Sequence, residues 1–364
     1  MRTFGEGADR SDTRRNHMKK NVIFFAIVCA FAAVFFLSCT SKRGGKTLYL
    51  FNWTYYTPDS VIKQFEEEFG ANVWIDSYAS NEEMFAKLLA GAASYDIVFP
   101  SQDYASIMIK LDMLKKIDLS KIPNAQNISP LVLEKAVYDP AMEYCVPYYM
   151  GAAGVAVNKT KVAHYEKSWN IFARTDLKNR MCMMDDMREV IGDALAFDGK
   201  SVNSLNDADL AQAERLIVDT WKPNLVKFDA EGFGKSFASS DFWVVQGYAE
   251  AVFGEVPEDK WHTVDFFVPE EGGPMYIDSM CILKGARNYD LALEFINFIH
   301  RPEIYAQFLD AFRFPAAVNP KAGEFMKKTP FYSADELANC QIKEDLAEGL
   351  SKYNAVWQRI RFIE

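Results

Sequence analysis

Histidine is nearly absent from this chain: 364 residues contain 4, at positions 17, 164, 262 and 300. Each stands alone in sequence, a pattern that fits surface or packing histidines better than a general base or a metal ligand. The chain also lacks a Gly-x-Ser-x-Gly elbow and a His-Glu-x-x-His pair, which removes the common hydrolase and zinc-protease signatures. Lys46-Thr47 follows Gly45, but a phosphate-binding loop needs glycine at position 40, where Thr40 stands. None of the 6 cysteines forms a Cys-x-x-Cys pair or a Cys/His cluster, so neither a zinc site nor any other cofactor is expected. Positive charge is not in excess. Against 40 Lys+Arg there are 50 Asp+Glu, a net charge of −10, which argues against nucleic acid and favours cationic partners. Aromatic residues are plentiful at 14%, with 17 Tyr and 7 Trp. The proportions of hydrophobic (49%) and charged (25%) residues are those of an ordinary globular protein, and the length suggests two domains or lobes.

The N-terminus reads as an address. After Met18-Lys19-Lys20, an almost unbroken apolar run from Val22 to Leu37 ends at Phe36-Leu37-Ser38-Cys39 and gives way to polar residues. The run is short for a spanning helix and fits a secretory signal, with an uncleaved membrane anchor as the alternative. The ending resembles a bacterial lipobox, with Phe36 where leucine is usual. The reading is a signal peptide with an upstream extension over 1–38, lipidation at Cys39, and a linker over 39–45. This places the mature protein in the periplasm, held to a membrane by its lipid. Removal of 1–38 takes away six basic and three acidic residues and leaves a net charge of −13. Cys145, Cys182, Cys281 and Cys340 remain in a compartment that permits disulfides, but their spacing does not assign a pairing.

Strands and helices alternate along the mature chain. Leu48 to Phe51 reads as a strand. A helix capped by Thr57, with Pro58 at its first position, carries Val61, Ile62, Phe65 and Phe69 on one face and ends at Gly70. After a strand at Val73 to Ile75, Ser80-Asn81-Glu82-Glu83 is a capping box opening a helix that buries Met84, Phe85, Leu88 and Leu89 and stops at Gly91. A third strand, Asp96 to Phe99, ends at Pro100-Ser101. Such alternation predicts parallel sheets, in which ligands bind at the carboxyl ends of strands. Trp53-Thr54, Ser77-Tyr78 and Ser101-Gln102 should therefore share a rim. A second α/β run follows, with a strand over Met181 to Met184, helices over Asp186 to Ala196 and Ala208 to Trp221, and a strand at Trp243 to Val245. Extended crossings at Tyr144 to Asn158 and Met275 to Leu283, with an amphipathic helix at Asp290 to His300, suggest two lobes with a cleft between them.

Carboxylates near aromatics carry the functional signal. Asp186 and Glu189 lie three apart at a helix start, where the helix dipole by itself accounts for acids. Asp278 stands in the otherwise uncharged segment Pro274 to Met280, and Tyr276, two residues earlier, points to the same side of a strand. A carboxylate beside a ring suits an alkylammonium group, because the ring face attracts the cation while the acid accepts its N–H bonds.

Seven motifs in order resemble the periplasmic spermidine/putrescine-binding proteins of ABC importers. They are Asn52-Trp53-Thr54-Tyr55-Tyr56, Ser77 to Glu82, Tyr95 to Ser101, Pro147 to Gly151, Asp185 to Glu189, Pro269 to Gly273 with Asp278, and Phe295 to Pro302. The resemblance, running from about residue 46 to the end, implies an α/β, two-lobed solute-binding fold of type II that closes on its ligand. The lobes fall at 46–152 plus 280–314 and at 153–279 plus 315–364. It implies ligand contacts from Trp53, Thr54 and Tyr56, from Ser101, and from the acids Asp186, Glu189 and Asp278. Tyr248 and Tyr276 stand where the family usually has tryptophan, and Phe314 where tyrosine is usual. Asp103 replaces an aromatic, and Lys343 falls where a glutamine is expected, so that its like charge disfavours a third ammonium and favours putrescine over spermidine. The implied protein is a monomer without enzymatic activity that captures putrescine or spermidine and passes it to a cognate ABC permease. A same-fold receptor for ferric iron, a sugar or an amino acid, and an extracytoplasmic enzyme or adhesin on the same scaffold, remain as alternatives.

Overall fold

The computed structural model describes residues 46–54, 56–91 and 94–362. The signal segment, Cys39 and Tyr55 lie outside the described residues. The chain begins β1 (Thr47–Trp53), α1 (Asp59–Phe69), β2 (Asn72–Tyr78), α2 (Asn81–Leu89), β3 (Ile97–Val98), α3 (Gln102–Lys110) and α4 (Pro130–Lys135). Then come β4 (Cys145–Ala152), β5 (Gly154–Asn158), β6 (Met181–Met183), α5 (Met187–Phe197), α6 (Asp207–Leu216), β7 (Leu225–Phe228), α7 (Phe233–Ala238), β8 (Val244–Gly247) and α8 (Ala249–Phe253). It closes with β9 (Val264–Phe267), β10 (Pro274–Ile282), α9 (Tyr289–Ile299), α10 (Pro302–Phe312), β11 (Gln341–Ile342) and α11 (Leu350–Phe362).

Two sheets result. One has the order β11-β10-β3-β1-β2, with β4 along the other edge of β10; the second has the order β7-β6-β8-β5-β9. β1 runs parallel to β2 and β3, and β6 runs parallel to β7 and β8. The parallel strands therefore turn their carboxyl ends the same way within each sheet. The chain leaves the first sheet between β4 and β5, returns between β9 and β10, and crosses again after β11. β10 belongs to the first sheet along its whole length: it is antiparallel to β4 from Met275 to Cys281 and to β3 at Cys281 and Ile282. The register slips between Asp278, opposite Tyr149, and Ser279, opposite Pro147. Tyr148 is the extra residue, and the bulge buries both tyrosines. Val155 and Val157 on one face of β5 pack with Trp169, Val190, Trp221 and the α11 residues Tyr353, Trp357 and Ile360.

Local signals held up unevenly. α1 buries Val61, Ile62 and Phe65 and ends on left-handed Gly70 as its pattern predicts, but Pro58 rather than Thr57 occupies the cap position. The Thr57 hydroxyl instead accepts from Asn52 Nδ2 at 3.0 Å, five residues back, and bonds the Tyr148 hydroxyl at 2.9 Å, 91 residues away, so that it has two partners where a cap would give it one. In α2 the Ser80 hydroxyl accepts from Glu83 N as expected, but the Glu83 carboxylate reaches Ala79 N instead of Ser80 N. Only Met84 of its apolar residues is buried; Leu89 stays 61% exposed, because a helix at the rim has one covered side. The expected helix to Trp221 ends at Leu216 and continues as a wider π-helical turn over Ile217–Trp221.

Candidate functional site

The strand ends converge on one cleft of about 1110 Å³, slightly above the roughly 300–1,000 Å³ typical of small-molecule pockets. Trp53 ends β1 and Thr54 follows it, Ser101 follows β3, Asp186 follows β6, and Tyr248 with Glu250 follows β8. β10 contributes Tyr276 and Asp278. Every candidate residue read from the sequence lines this cleft except Glu189.

Asp278 is 4% exposed. Its Oδ2 accepts from the Tyr56 hydroxyl at 2.8 Å and its Oδ1 from Ser101 Oγ at 2.6 Å. Ser101 precedes α3 in the position where a serine would normally cap the helix, but its side chain caps nothing; the hydroxyl is given to Asp278. Neutral hydroxyls thus orient this carboxylate, and the positive charge of Lys343 offsets only part of its own. Burial pushes its carboxyl up to about 6, despite the lowering effect of those two hydrogen bonds. Partly buried Glu250, in the first turn of α8, is pushed up to about 7, first by burial and further by the negative charge of Asp278.

Aromatic rings back these acids. Tyr276 meets Tyr248 edge-to-face at 5.8 Å and Tyr149 at 6.0 Å, and Tyr149 stacks on Phe314 at 3.9 Å. Tyr276 lies opposite Gly151, where a Cβ would approach the Tyr276 hydroxyl to 2.9 Å; the glycine leaves room for the ring. Trp53 Nε1 donates to Phe99 O at 2.8 Å, and Thr54 Oγ1 donates to Tyr78 O at 3.4 Å. The indole is thereby tied to the end of β3 and packs tilted against Tyr78 at 4.8 Å.

On the second sheet, Asp186 Oδ1 accepts from Arg188 N at 2.7 Å and Glu189 N at 3.1 Å, so this acid does cap α5 while also facing the cleft. Glu189 is 1% exposed and lies behind the wall, where its Oε1 takes the Lys343 ammonium and the Tyr248 hydroxyl, the latter at 3.2 Å. Asp103 opens α3, and burial holds its carboxyl above the ordinary range against the pull of Lys343. The sequence reading passed over Glu250, although it follows the end of β8 as Asp186 follows the end of β6. That shared placement was the signal available.

Two α/β lobes whose strand ends share a cleft lined by acids and rings are the architecture of a solute-binding receptor. The chain belongs to the bacterial extracellular solute-binding protein family, whose model matches residues 60–339. It is 29% identical over 343 residues to the spermidine/putrescine-binding periplasmic protein of Escherichia coli, covering 92% of this chain and 97% of that one. It is 31% identical over 313 residues to the putrescine-binding periplasmic protein SpuD of Pseudomonas aeruginosa, covering 80% of this chain and 85% of that one. Among solved structures, the TpPotD lipoprotein of Treponema pallidum superposes with a TM-score of 0.83 at 55% identity, covering 87% of this chain and all of that one. The first two relatives are named as binding proteins of the periplasm, and the third as a lipoprotein.

Proposed function

We propose that this protein captures linear polyamines, putrescine or spermidine, outside the cytoplasm and delivers them to an ABC importer. The observation that carries this reading is Asp278: a buried carboxylate aimed by two hydroxyls, backed by aromatic rings and next to a second raised acid, Glu250. Each charge-assisted hydrogen bond to an ammonium contributes roughly 1.5–3 kcal/mol, and each ring face about 0.5–2 kcal/mol. Two such ends suffice for the ~8 kcal/mol of micromolar binding. A neutral sugar can donate hydroxyls to carboxylates but brings no positive charge to offset several buried acids, and ferric iron wants chelating donors; among the described residues no His/Cys/Asp/Glu group is arranged to hold a metal. The ligand contacts are assigned to Trp53, Thr54, Tyr56, Ser101, Asp103, Asp186, Tyr248, Tyr276, Asp278 and Phe314. Lipidation at Cys39, a monomeric state, transfer to a cognate permease and the lack of enzymatic activity belong to the same reading; for lipidation, the support is that one relative is named a lipoprotein.

The test is thermal unfolding of residues 46–364 with added amine. A ligand that binds only the native state at about a thousand times its Kd stabilises it by about 4 kcal/mol, a shift of several degrees. No shift with putrescine or spermidine at about 1 mM, a thousandfold over a micromolar Kd, would sink the reading.

A pH dependence follows from the raised acids. In the empty cleft Asp278, at about 6, and Glu250, at about 7, hold protons that ordinary carboxyls would have lost. The native state binds more protons than the unfolded chain, so their protonation favours the ligand-free fold at low pH, and that contribution is lost as pH rises through 6 to 7. An ammonium ligand favours the ionised carboxylates. Binding should therefore release protons, and affinity should fall as pH drops below about 7. Calorimetry of putrescine binding at about pH 6.5 in buffers of different ionisation enthalpy checks it; proton uptake, or no exchange, is the contrary outcome.

A further inference from the structure

The second-sheet wall already contains an ammonium group, and it belongs to the protein. Lys343 follows β11 and is held by its backbone on both sides. Its N–H donates to Met275 O at 3.0 Å, and its carbonyl accepts from Gln102 Nε2 at 2.7 Å. Gln102 Oε1 in turn accepts from Ile277 N at 3.0 Å, next to Asp278. The Lys343 side chain, 17% exposed, crosses from the first sheet to the second and pairs with Glu189, whose side chain is 1% exposed. Asp186 and Asp103 also stabilise its charge. Glu189 Oε2 and Asp103 Oδ1 are buried without a hydrogen-bond partner among the described residues. The wall therefore presents three carboxylates around one tethered lysine ammonium, with Arg188 directed away to Glu344 O and Asn203 Oδ1.

We propose that Lys343 substitutes for one ammonium of the ligand at Glu189, so that the cleft prefers a diamine to a longer polyamine. The inference rests on the polyamine reading and deepens it. A lysine side chain is an alkylammonium on a four-carbon stem, chemically the end of a polyamine, and it fills a fully buried acid, Glu189, permanently. Asp278, Glu250, Asp103 and Asp186 are left for the ligand. A third ammonium meets an occupied acid and a like charge, and that is how a receptor discriminates between ligands sharing a common end.

Dissociation constants for putrescine and spermidine, measured by calorimetry on wild type and variants at one salt concentration, test this. Wild type should bind putrescine more tightly. Lys343→Gln should improve spermidine relative to putrescine by about tenfold or more, because a charge-assisted contact is worth at least the ~1.4 kcal/mol that a tenfold change in Kd represents. Lys343→Arg, which keeps the charge, should leave the ratio where it was. In Lys343→Gln/Glu189→Gln the spermidine gain should vanish. Should Lys343→Gln fail to fold, Glu189→Gln decides: putrescine affinity within about threefold of wild type supports the proposal, because the diamine does not use Glu189. A preference for spermidine in wild type, an unchanged ratio in Lys343→Gln, or a loss in Glu189→Gln as large as that of Asp278→Ala overturns it and leaves polyamine binding intact. Folded wild type that binds neither amine refutes the polyamine reading itself.

Discussion

Asp278→Ala should weaken putrescine binding by about 2 kcal/mol or more, roughly thirtyfold in Kd. The loss has two parts. The ligand ammonium is left without its anion in a desolvated site, and the hydroxyls of Tyr56 and Ser101 lose the acceptor they share. Asp278→Asn should lose nearly as much. The amide has no charge, and its NH₂ would face one of two hydroxyls that now donate. Glu67→Ala on the exposed face of α1, where Glu67 makes only a loose pair with Lys63 at 3.8 Å, should change binding very little. Calorimetry on the three variants separates the outcomes; equal small effects at all three would place the ligand elsewhere in the cleft.

The largest effect on the fold is expected at Gly272, in the turn that returns the chain from β9 to β10. Its φ is +75°, and a Cβ there would lie 2.2 Å from Asn339 O and 2.5 Å from Asn339 C. Its own carbonyl accepts from Trp169 Nε1 at 2.7 Å, so the turn cannot shift without breaking a buried bond. Gly272→Ala combines the left-handed penalty of about 1–2 kcal/mol with a backbone clash. It should lower Tm by more than about 5 °C. Gly199→Ala is the comparison: its φ is +68°, but nothing lies within 4 Å of the new Cβ, so only the first penalty applies. Equal Tm losses would mean that the clash at Asn339 is relieved by small movements. Because the Gly272 turn leads into the strand bearing Tyr276 and Asp278, its alanine variant should also weaken amine binding, and Gly199→Ala should not.

The alternation of strands and helices was legible in the sequence because it depends on neighbours one to four residues apart. β-branched and aromatic runs, Pro58 near a helix start and Gly70 at its end act through local sterics. The rim was legible for the same reason: the residues just after β1, β3 and β6 lie at the carboxyl ends of parallel strands whatever else the chain does, and Tyr276 and Asp278 share a side of β10 because strand side chains alternate. The environment of each acid was not. Asp278 is aimed by a tyrosine 222 residues away and a serine 177 residues away, and Glu189 is claimed by a lysine 154 residues away. Thr57 and Ser101 both carry the local signature of a helix cap, yet their hydroxyls go to Tyr148 and Asp278 because a buried polar atom takes the partner that burial brings to it. The sequence determined that acids and rings would gather at strand ends. Which acid stays open to a ligand and which is filled by the protein's own ammonium was decided by tertiary structure, since charge pairing depends on distance in space and burial, and neither is written in the spacing along the chain.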